Sequence, residues 1–428
     1  MKKHLAVLCL TAVLAAALLL AGCGKTPEAT GAAAGTPPPA ATPSSAPLPL
    51  PLPLRVLQPY NSRAWYVEKI DMEQDKWVLH RYDFASASVS VLPLPRANEY
   101  PVVLADGQDL YAFYMGGALA GAAVYRGDPD TAAWDCLLAL PEGNYIDAQD
   151  PVASDGQALY FGYCTVSSDP HAVDPVQLVR FDLATRELTT LTDWEGPFRG
   201  RLYGVWQQRG KLLYTRRVLA ENCPVEPEIG YYKVENTQEL APWLATVLYA
   251  LDPQTGETAE LLREAGEVPT LSWQLFADTL YRTVPQHDGG AALQWRALGA
   301  DTAGEKALDV PVSLSAVYAQ DIFLFGAPEG KDTLYVYDRA AGTLAPSPLR
   351  CLRKGEDSCI DVVCPAGPGE YLVVRDRTIR EELRRGMTEW DFYTATVYPE
   401  EYEIISRAGL LDETIPGRPL TQPEGWYN

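Results

Sequence analysis

Histidine is scarce in this 428-residue chain: His4, His80, His171 and His287 are all it has. That leaves few candidates for general-base work or imidazole metal ligation at ordinary pH. The chain has no G-x-S-x-G, no H-E-x-x-H and no P-loop motif, which removes the motif-borne routes to serine hydrolysis, zinc proteolysis and nucleotide chemistry. It also lacks C-x-x-C and any zinc-type cysteine spacing. Strong helical periodicity is almost absent. No uncharged run of spanning length follows residue 20, and a membrane helix needs about 20 apolar residues. Positive charge is short as well: 35 Lys and Arg stand against 56 Asp and Glu, a net charge of −21. Nucleic acid and anionic lipid surfaces are poor partners for that balance.

What the N-terminus does contain is an address. Met1-Lys2-Lys3-His4 is a short basic start, Leu5 to Leu20 is apolar, and Leu20-Ala21-Gly22-Cys23 follows. The pattern is that of a secretory leader. The last four residues resemble the bacterial lipobox. That resemblance implies cleavage before Cys23, acylation (palmitate among the chains) of Cys23, and a membrane anchor on the extracytoplasmic side, at the cell surface or in the periplasm. Two or more acyl chains give stable attachment. Residues 1–22 are then the signal peptide. Residues 23–54, rich in Ala, Pro, Ser and Thr with Pro37-Pro38-Pro39 and Leu48-Pro49-Leu50-Pro51-Leu52-Pro53-Leu54, form a tether. Such a composition buries no core, and its Pro-rich part is an extended spacer at about 3.1 Å per residue. Residues 55–428 are expected to fold as one domain, in a single copy.

Six cysteines lie in that domain: Cys136, Cys164, Cys223, Cys351, Cys359 and Cys364. Cys136, Cys164 and Cys364 lie in apolar strand-like runs, where cysteine is commonly a small buried residue; export also permits disulfides, and a bridge in the Cys351, Cys359, Cys364 region is a candidate.

A repeat runs through the domain. Leu79-His80-Arg81-Tyr82-Asp83, Leu178-Val179-Arg180-Phe181-Asp182, Leu248-Tyr249-Ala250-Leu251-Asp252 and Leu334-Tyr335-Val336-Tyr337-Asp338 each read as a strand ending at Asp. A polar turn and a returning strand follow each of them, with Asp accepting turn N–H bonds and Gly taking the left-handed position. Degenerate copies sit near Asp128, Gly299 and Ser406, and a further strand pair precedes every copy. The unit is four strands, and a spacing of about 40 to 50 residues matches one propeller blade. The expected fold class is therefore all-β, a β-propeller of seven four-stranded blades, with six or eight as open alternatives. Arg55-Val56-Leu57 is a candidate for closing the ring. The stretch Val247-Leu248-Tyr249-Ala250-Leu251-Asp252-Pro253-Gln254-Thr255-Gly256-Glu257 resembles the blades of quinoprotein-like and TolB-like propellers. That resemblance implies a fold rather than an activity. The tryptophan-rich docking pattern of the pyrroloquinoline quinone enzymes is not repeated, so that cofactor is not implied, and no other cofactor is.

The Asp turn joins the third and fourth strands. Sizeable insertions fall between the second and third: Thr165 to Val176, Leu219 to Leu244 and Arg375 to Thr394, with a shorter one at Gln286 to Ala291. In a propeller these loops share a face with the blade-to-blade connections, and variable loops on a rigid scaffold are where function concentrates. Tyr231, Tyr232, Trp243, Trp390 and Tyr393 are the candidate ligand-binding residues, since loop aromatics suit sugar rings and peptide side chains. The stretch from Thr378 to Arg385 reads as a short helix. His171 with Asp169 and Asp174 is too sparse to count as a metal site, so no metal is assigned, and no residue is assigned a catalytic role. The function expected is a binding module for a glycan, a peptide or an envelope protein. The alternative is a glycosidase or lyase working through paired carboxylates about 5 to 10 Å apart.

Overall fold

The computed structural model describes residues 63–71, 76–106, 109–116, 121–147, 152–165, 176–192, 202–208, 210–228, 234–265, 273–298, 302–353, 356–377, 380–385, 392–397 and 400–420. Cys23, the tether and Arg55-Val56-Leu57 lie outside them. No helix among the described residues is long and apolar enough to cross a membrane.

The chain is an all-β propeller. Its first sheet runs β1 (Arg63–Asp71), β2 (Lys76–Asp83), β3 (Ser88–Leu92). Blade 1 is β4 (Pro101–Ala105), β5 (Leu110–Tyr114), β6 (Ala123–Gly127) and β7 (Trp134–Ala139). In blade 2, β8 (Asn144–Asp147) and β9 (Ala153–Ser154) both pair with β10 (Ala158–Thr165), ahead of β11 (Val176–Asp182) and β12 (Leu188–Thr192). Blade 3 is β13 (Leu202–Gln208), β14 (Lys211–Leu219), β15 (Leu244–Leu251) and β16 (Thr258–Ala265), with α1 (Thr237–Leu240) before β15. Blade 4 is β17 (Gln274–Phe276), β18 (Thr279–Pro285), β19 (Ala291–Ala297) and β20 (Ala303–Leu308). Blade 5 is β21 (Val312–Val317), β22 (Asp321–Gly326), β23 (Thr333–Asp338) and β24 (Thr343–Pro346). The hairpin β25 (Arg350–Arg353) and β26 (Glu356–Cys359) leads into blade 6. That blade orders β27 (Asp361–Gly367), β28 (Glu370–Arg377), β31 (Glu400–Ser406) and β32 (Arg418–Pro419), with the hairpin β29 (Arg380–Arg385) and β30 (Phe392–Val397) inserted and α2 (Arg407–Leu411) before β32.

Neighbouring sheets stack through apolar clusters, and the stacking closes into a ring. Trp65 and Leu79 of the first sheet pack on Val103 and Leu110 of blade 1. Phe113 of blade 1 meets Phe161 of blade 2 edge-on at 5.6 Å. Tyr160 packs with Tyr214, Leu213 with Leu280, Trp295 with Leu324 and Phe323 with Val373. Tyr82 and Phe84 of the first sheet then pack on Cys364 and Ile404 of blade 6. Second strands are covered on both faces, which is why β5 is buried at every residue. Each large side chain so buried contributes about 1.5–3 kcal/mol.

Six blades are complete among the described residues, not the expected seven. The first sheet stops at three strands. Its Asp83 turn joins β2 and β3 as third and fourth, so the innermost position is the one that no described residue fills.

The Asp turns are built alike. Oδ1 of Asp128, Asp182, Asp252 and Asp338 each accepts the backbone N–H groups two and three residues on, at 2.8–3.1 Å. The residue four on is left-handed: Ala132, Arg186, Gly256 and Gly342, with Ala87 after Asp83. The expected glycine thus holds in two of these turns only. Elsewhere Ala or Arg accepts the position, at a cost of about 1–2 kcal/mol, because the Asp carboxylate fixes the turn. A bulge recurs on the returning strand, at Leu137, Leu191 and Leu261, each nine residues after its Asp. The extra residue turns that leucine toward the core, where each packs in or against an inter-blade cluster.

The candidate disulfide does not form: none of the six domain cysteines is bridged. On β25 and β26, Cys351 pairs with Ser358, one register step from Cys359. Side chains alternate along a strand, so the two thiols leave opposite faces of the hairpin. Cys351 instead lies 3.0 Å from the Cys359 carbonyl oxygen, to which its thiol donates.

Candidate functional site

Antiparallel strand order puts the first-to-second and third-to-fourth turns at one end of every blade. The second-to-third loops and the blade connections lie at the other. The first end is the tight-turn face, the second the insertion face.

On the insertion face the longest described loop joins β14 to β15. It is tied into a compact unit. Ala220 N–H donates to the Trp243 carbonyl at 2.9 Å. Asn236 accepts from Glu228 N–H at 2.9 Å and donates to the Glu226 carbonyl at 2.9 Å. Leu240 of α1 is wholly buried and pins the loop to the blade. Trp243 closes a 3-10 turn beside it and stays half-buried. Tyr231, Tyr232 and Trp390 lie outside the described residues, as do His171, Asp169 and Asp174. Tyr393 stands on β30 opposite Arg384.

The Arg375 to Thr394 insertion corrects the expected helix. Arg380–Arg385 is strand β29, paired residue for residue with Phe392–Val397. The partner Phe392-Tyr393-Thr394-Ala395-Thr396-Val397 is aromatic and β-branched, and cross-strand pairing overrides the helix-forming Glu, Leu and Arg of the first strand. Gln286 to Ala291 is no insertion. Gln286 N–H bonds the Gly290 carbonyl at 3.0 Å in a tight hairpin turn.

Other insertion-face features were not read from the sequence. The β25–β26 hairpin is one. Arg350 grips Asp357 at 3.0 and 3.1 Å and donates to the Asp332 carbonyl, and Ser358 Oγ donates to Asp332 Oδ2 at 3.2 Å. The Lys354-Gly355 pair between its strands was the available signal. Tyr100, in the connection to blade 1, is 43 % exposed and lies 4.8 Å from the Trp77 ring. Phe325, near the insertion-face end of β22, is 38 % exposed. Arg282 lies 4.3 Å over the Trp273 ring and bonds Gln294 at 2.8 Å and Glu264 at 3.5 Å. Such a stacked, paired guanidinium keeps its aromatic partner rigid.

The tight-turn face is built from charge. Asp321 is fully buried and accepts from Tyr371 Oη at 2.6 Å and from Arg407 Nε at 2.7 Å. Arg407 also bonds Asp338 Oδ2 at 2.7 Å. Asp321 and Asp338 face each other across β22 and β23, so one guanidinium from blade 6 bonds two carboxylates of blade 5. Burial and the bond to Asp321 push the Tyr371 hydroxyl well above its usual range. This is a tie between blades; a carboxylate this buried has no room for substrate. Among the described residues no group of three His, Cys, Asp or Glu side chains could hold a metal ion.

No protein-family model matches the chain, and no curated protein matches its sequence. Solved structures do resemble it. A puromycin-hydrolysing peptidase of Mycobacterium tuberculosis is 12% identical over 91% of this chain and 57% of its own, with a TM-score of 0.49. The propeller domain of the Trilobed protease from Pyrococcus furiosus is 12% identical over 88% of this chain and 98% of its own, at TM-score 0.42. TolB from Acinetobacter baumannii is 14% identical over 83% of this chain and 81% of its own, at 0.32. The chain spans little more than half the length of the peptidase.

Proposed function

We propose that this protein is a lipid-anchored, extracytoplasmic binding module that presents its insertion face to a glycan of the cell envelope. One observation carries the reading: the long insertions and the exposed aromatics Tyr100 and Phe325 gather at one end of the blades, while the other end is closed by repeated turns. Trp243, Tyr231, Tyr232, Trp390 and Tyr393 supply rings that stack on the C–H faces of sugars. The strongly acidic charge keeps the domain off an anionic bilayer. The lipid on Cys23 holds it within reach of its ligand.

The test is direct binding of the mature chain to a panel of envelope glycans, with product analysis in the same samples. Saturable binding that falls about tenfold or more in Trp243→Ala supports the reading. Cleaved product would replace it with the carbohydrate-active enzyme. Retention of an envelope peptide or protein, with no glycan bound, would move the ligand to that class.

A further inference from the structure

Four large apolar side chains stand exposed among the described residues: Val91, Tyr100, Phe325 and Ile415. Of these, only Tyr100 meets a second ring. It lies 4.8 Å from Trp77, with the two planes inclined at 58°. Trp77 stands at the start of β2 and is half-buried, and Tyr100 ends the connection from the first sheet to blade 1. The pair therefore sits on the insertion face, at the seam between those two sheets.

The connection is held from both sides. Trp77 N–H donates to the Ala97 carbonyl at 2.6 Å. Tyr114 Oη, from blade 1, accepts from Arg96 N–H at 3.0 Å and donates to the Arg96 carbonyl at 3.2 Å. The Arg96 guanidinium lies over the Tyr114 and Tyr125 rings at 5.3 and 5.7 Å. It donates to Tyr125 Oη at 3.2 Å, to the Gly121 carbonyl at 3.1 Å and to Glu99 Oε2 at 3.1 Å. A ring on so braced a connection is set before any ligand arrives, which removes part of the ordering cost of binding. Burial raises the Tyr100 hydroxyl above its usual pKa range, although 43 % of the residue is exposed. The oxygen is thus the covered end and the ring the open one.

Charge narrows the ligand. Arg96 is paired with Glu99, whose side chain is 42 % exposed. The pair is neutral overall, and its more exposed member is a carboxylate, on a chain of net charge −21. A sugar hydroxyl can donate to that carboxylate, whereas a sugar carboxylate is repelled by it.

Resting on the glycan reading above, we propose that Trp77, Tyr100 and Glu99 form a subsite for a neutral pyranose. The C–H face of the sugar stacks on the Tyr100 ring, and one hydroxyl donates to Glu99. Neutral β-1,4-linked sugars fit best, because their equatorial substituents leave the ring faces flat. Polymers of uronic acids do not fit.

The test is calorimetric titration of the mature chain with chitohexaose and cellohexaose, with hexagalacturonate and a proline-rich decapeptide as comparators. Saturable binding of a neutral hexamer is expected, with affinity that falls about tenfold or more in Tyr100→Ala and by less than about twofold in Tyr100→Phe. Glu99→Gln uncovers Arg96, so it is expected to weaken the neutral hexamer and strengthen hexagalacturonate, each by about threefold. Urea midpoints of these variants are expected to match the parent, which separates a lost contact from a lost fold. Neutral-hexamer binding that Tyr100→Ala leaves intact and Trp243→Ala abolishes overturns the subsite and keeps the glycan reading. Failure of every envelope glycan to bind overturns that reading and the subsite with it. Absence of binding by both neutral hexamers, preference of the parent for hexagalacturonate, or Tyr100-dependent capture of the decapeptide alone overturns the neutral-sugar assignment.

Discussion

The two faces of the ring are made differently. The tight-turn face repeats one solution, an Asp carboxylate holding two turn amides with a left-handed residue after them, in four blades and in a related form at Asp83. Where the last blade departs from that turn, α2 replaces it and its Arg407 locks two carboxylates of the blade before. Among the described residues the insertion face repeats nothing. Its loops differ in length and fold, as the tied loop of blade 3 and the β29–β30 hairpin of blade 6 show. A face that repeats is doing what every blade needs. A face that varies is free to do something else.

The comparison breaks most visibly at Arg407. Arg407→Ala leaves Asp321 buried without its cation, and stability is expected to fall by about 3–5 kcal/mol in urea unfolding. The double variant Arg407→Ala/Asp321→Asn should recover part of the loss. If Arg407→Ala unfolds at the parent midpoint, the tight-turn face does not hold the blades.

Inside the first sheet, His80 sets an acid limit. Burial holds its pKa at about 3, below the ordinary value of 6.5. The unfolded chain therefore takes up a proton that the folded one refuses. The stability this group contributes is full above pH 6.5 and is lost as pH falls from there toward 3, at about 1.4 kcal/mol per pH unit. His80→Gln should flatten that part of the stability profile, and an unchanged slope would show that His80 does not set it.

Smaller effects sharpen the contrast. The amides of Thr131, with those of Asp130, hold the Asp128 carboxyl below its usual range, and those of Gln254 and Thr255 do the same for Asp252. Asp128→Ala and Asp252→Ala should each lower the melting temperature measurably, less than Arg407→Ala does. Arg186→Gly is expected to raise stability by about 0.5 kcal/mol, because glycine relieves the left-handed strain at φ 61° and loses only exposed contacts, an ion pair to Asp135 and a long bond to the Cys136 carbonyl. A drop in stability would mean that the Asp182 turn stores no strain there. Trp243→Ala, on the other face, should cost little stability while it costs binding.

The same contrast explains what the sequence disclosed. The blade unit was legible because Asp, the polar turn and the returning strand recur with a fixed local chemistry, so Asp83, Asp128, Asp182, Asp252 and Asp338 all fall where the pattern puts them. The left-handed residues were half legible: Gly256 and Gly342 announce themselves, whereas Ala132 and Arg186 carry no signal of backbone strain. The insertion face was legible as a location and not as a shape. Arg380–Arg385 has helix-forming residues and became a strand through pairing with residues 7 to 17 positions away. Cys351 and Cys359 were close enough in sequence to suggest a bridge, and only strand register sets them on opposite faces. The Arg407 tie spans blades and has no local signature at all.

The claim that the insertion face is the working one is tested most directly by an exchange footprint of the mature chain with and without the envelope glycan it retains. Protection is expected in 219–228, 234–244 and 392–397, with the turns at 128–132, 182–186 and 252–256 unchanged. Protection confined to those turns would contradict the account.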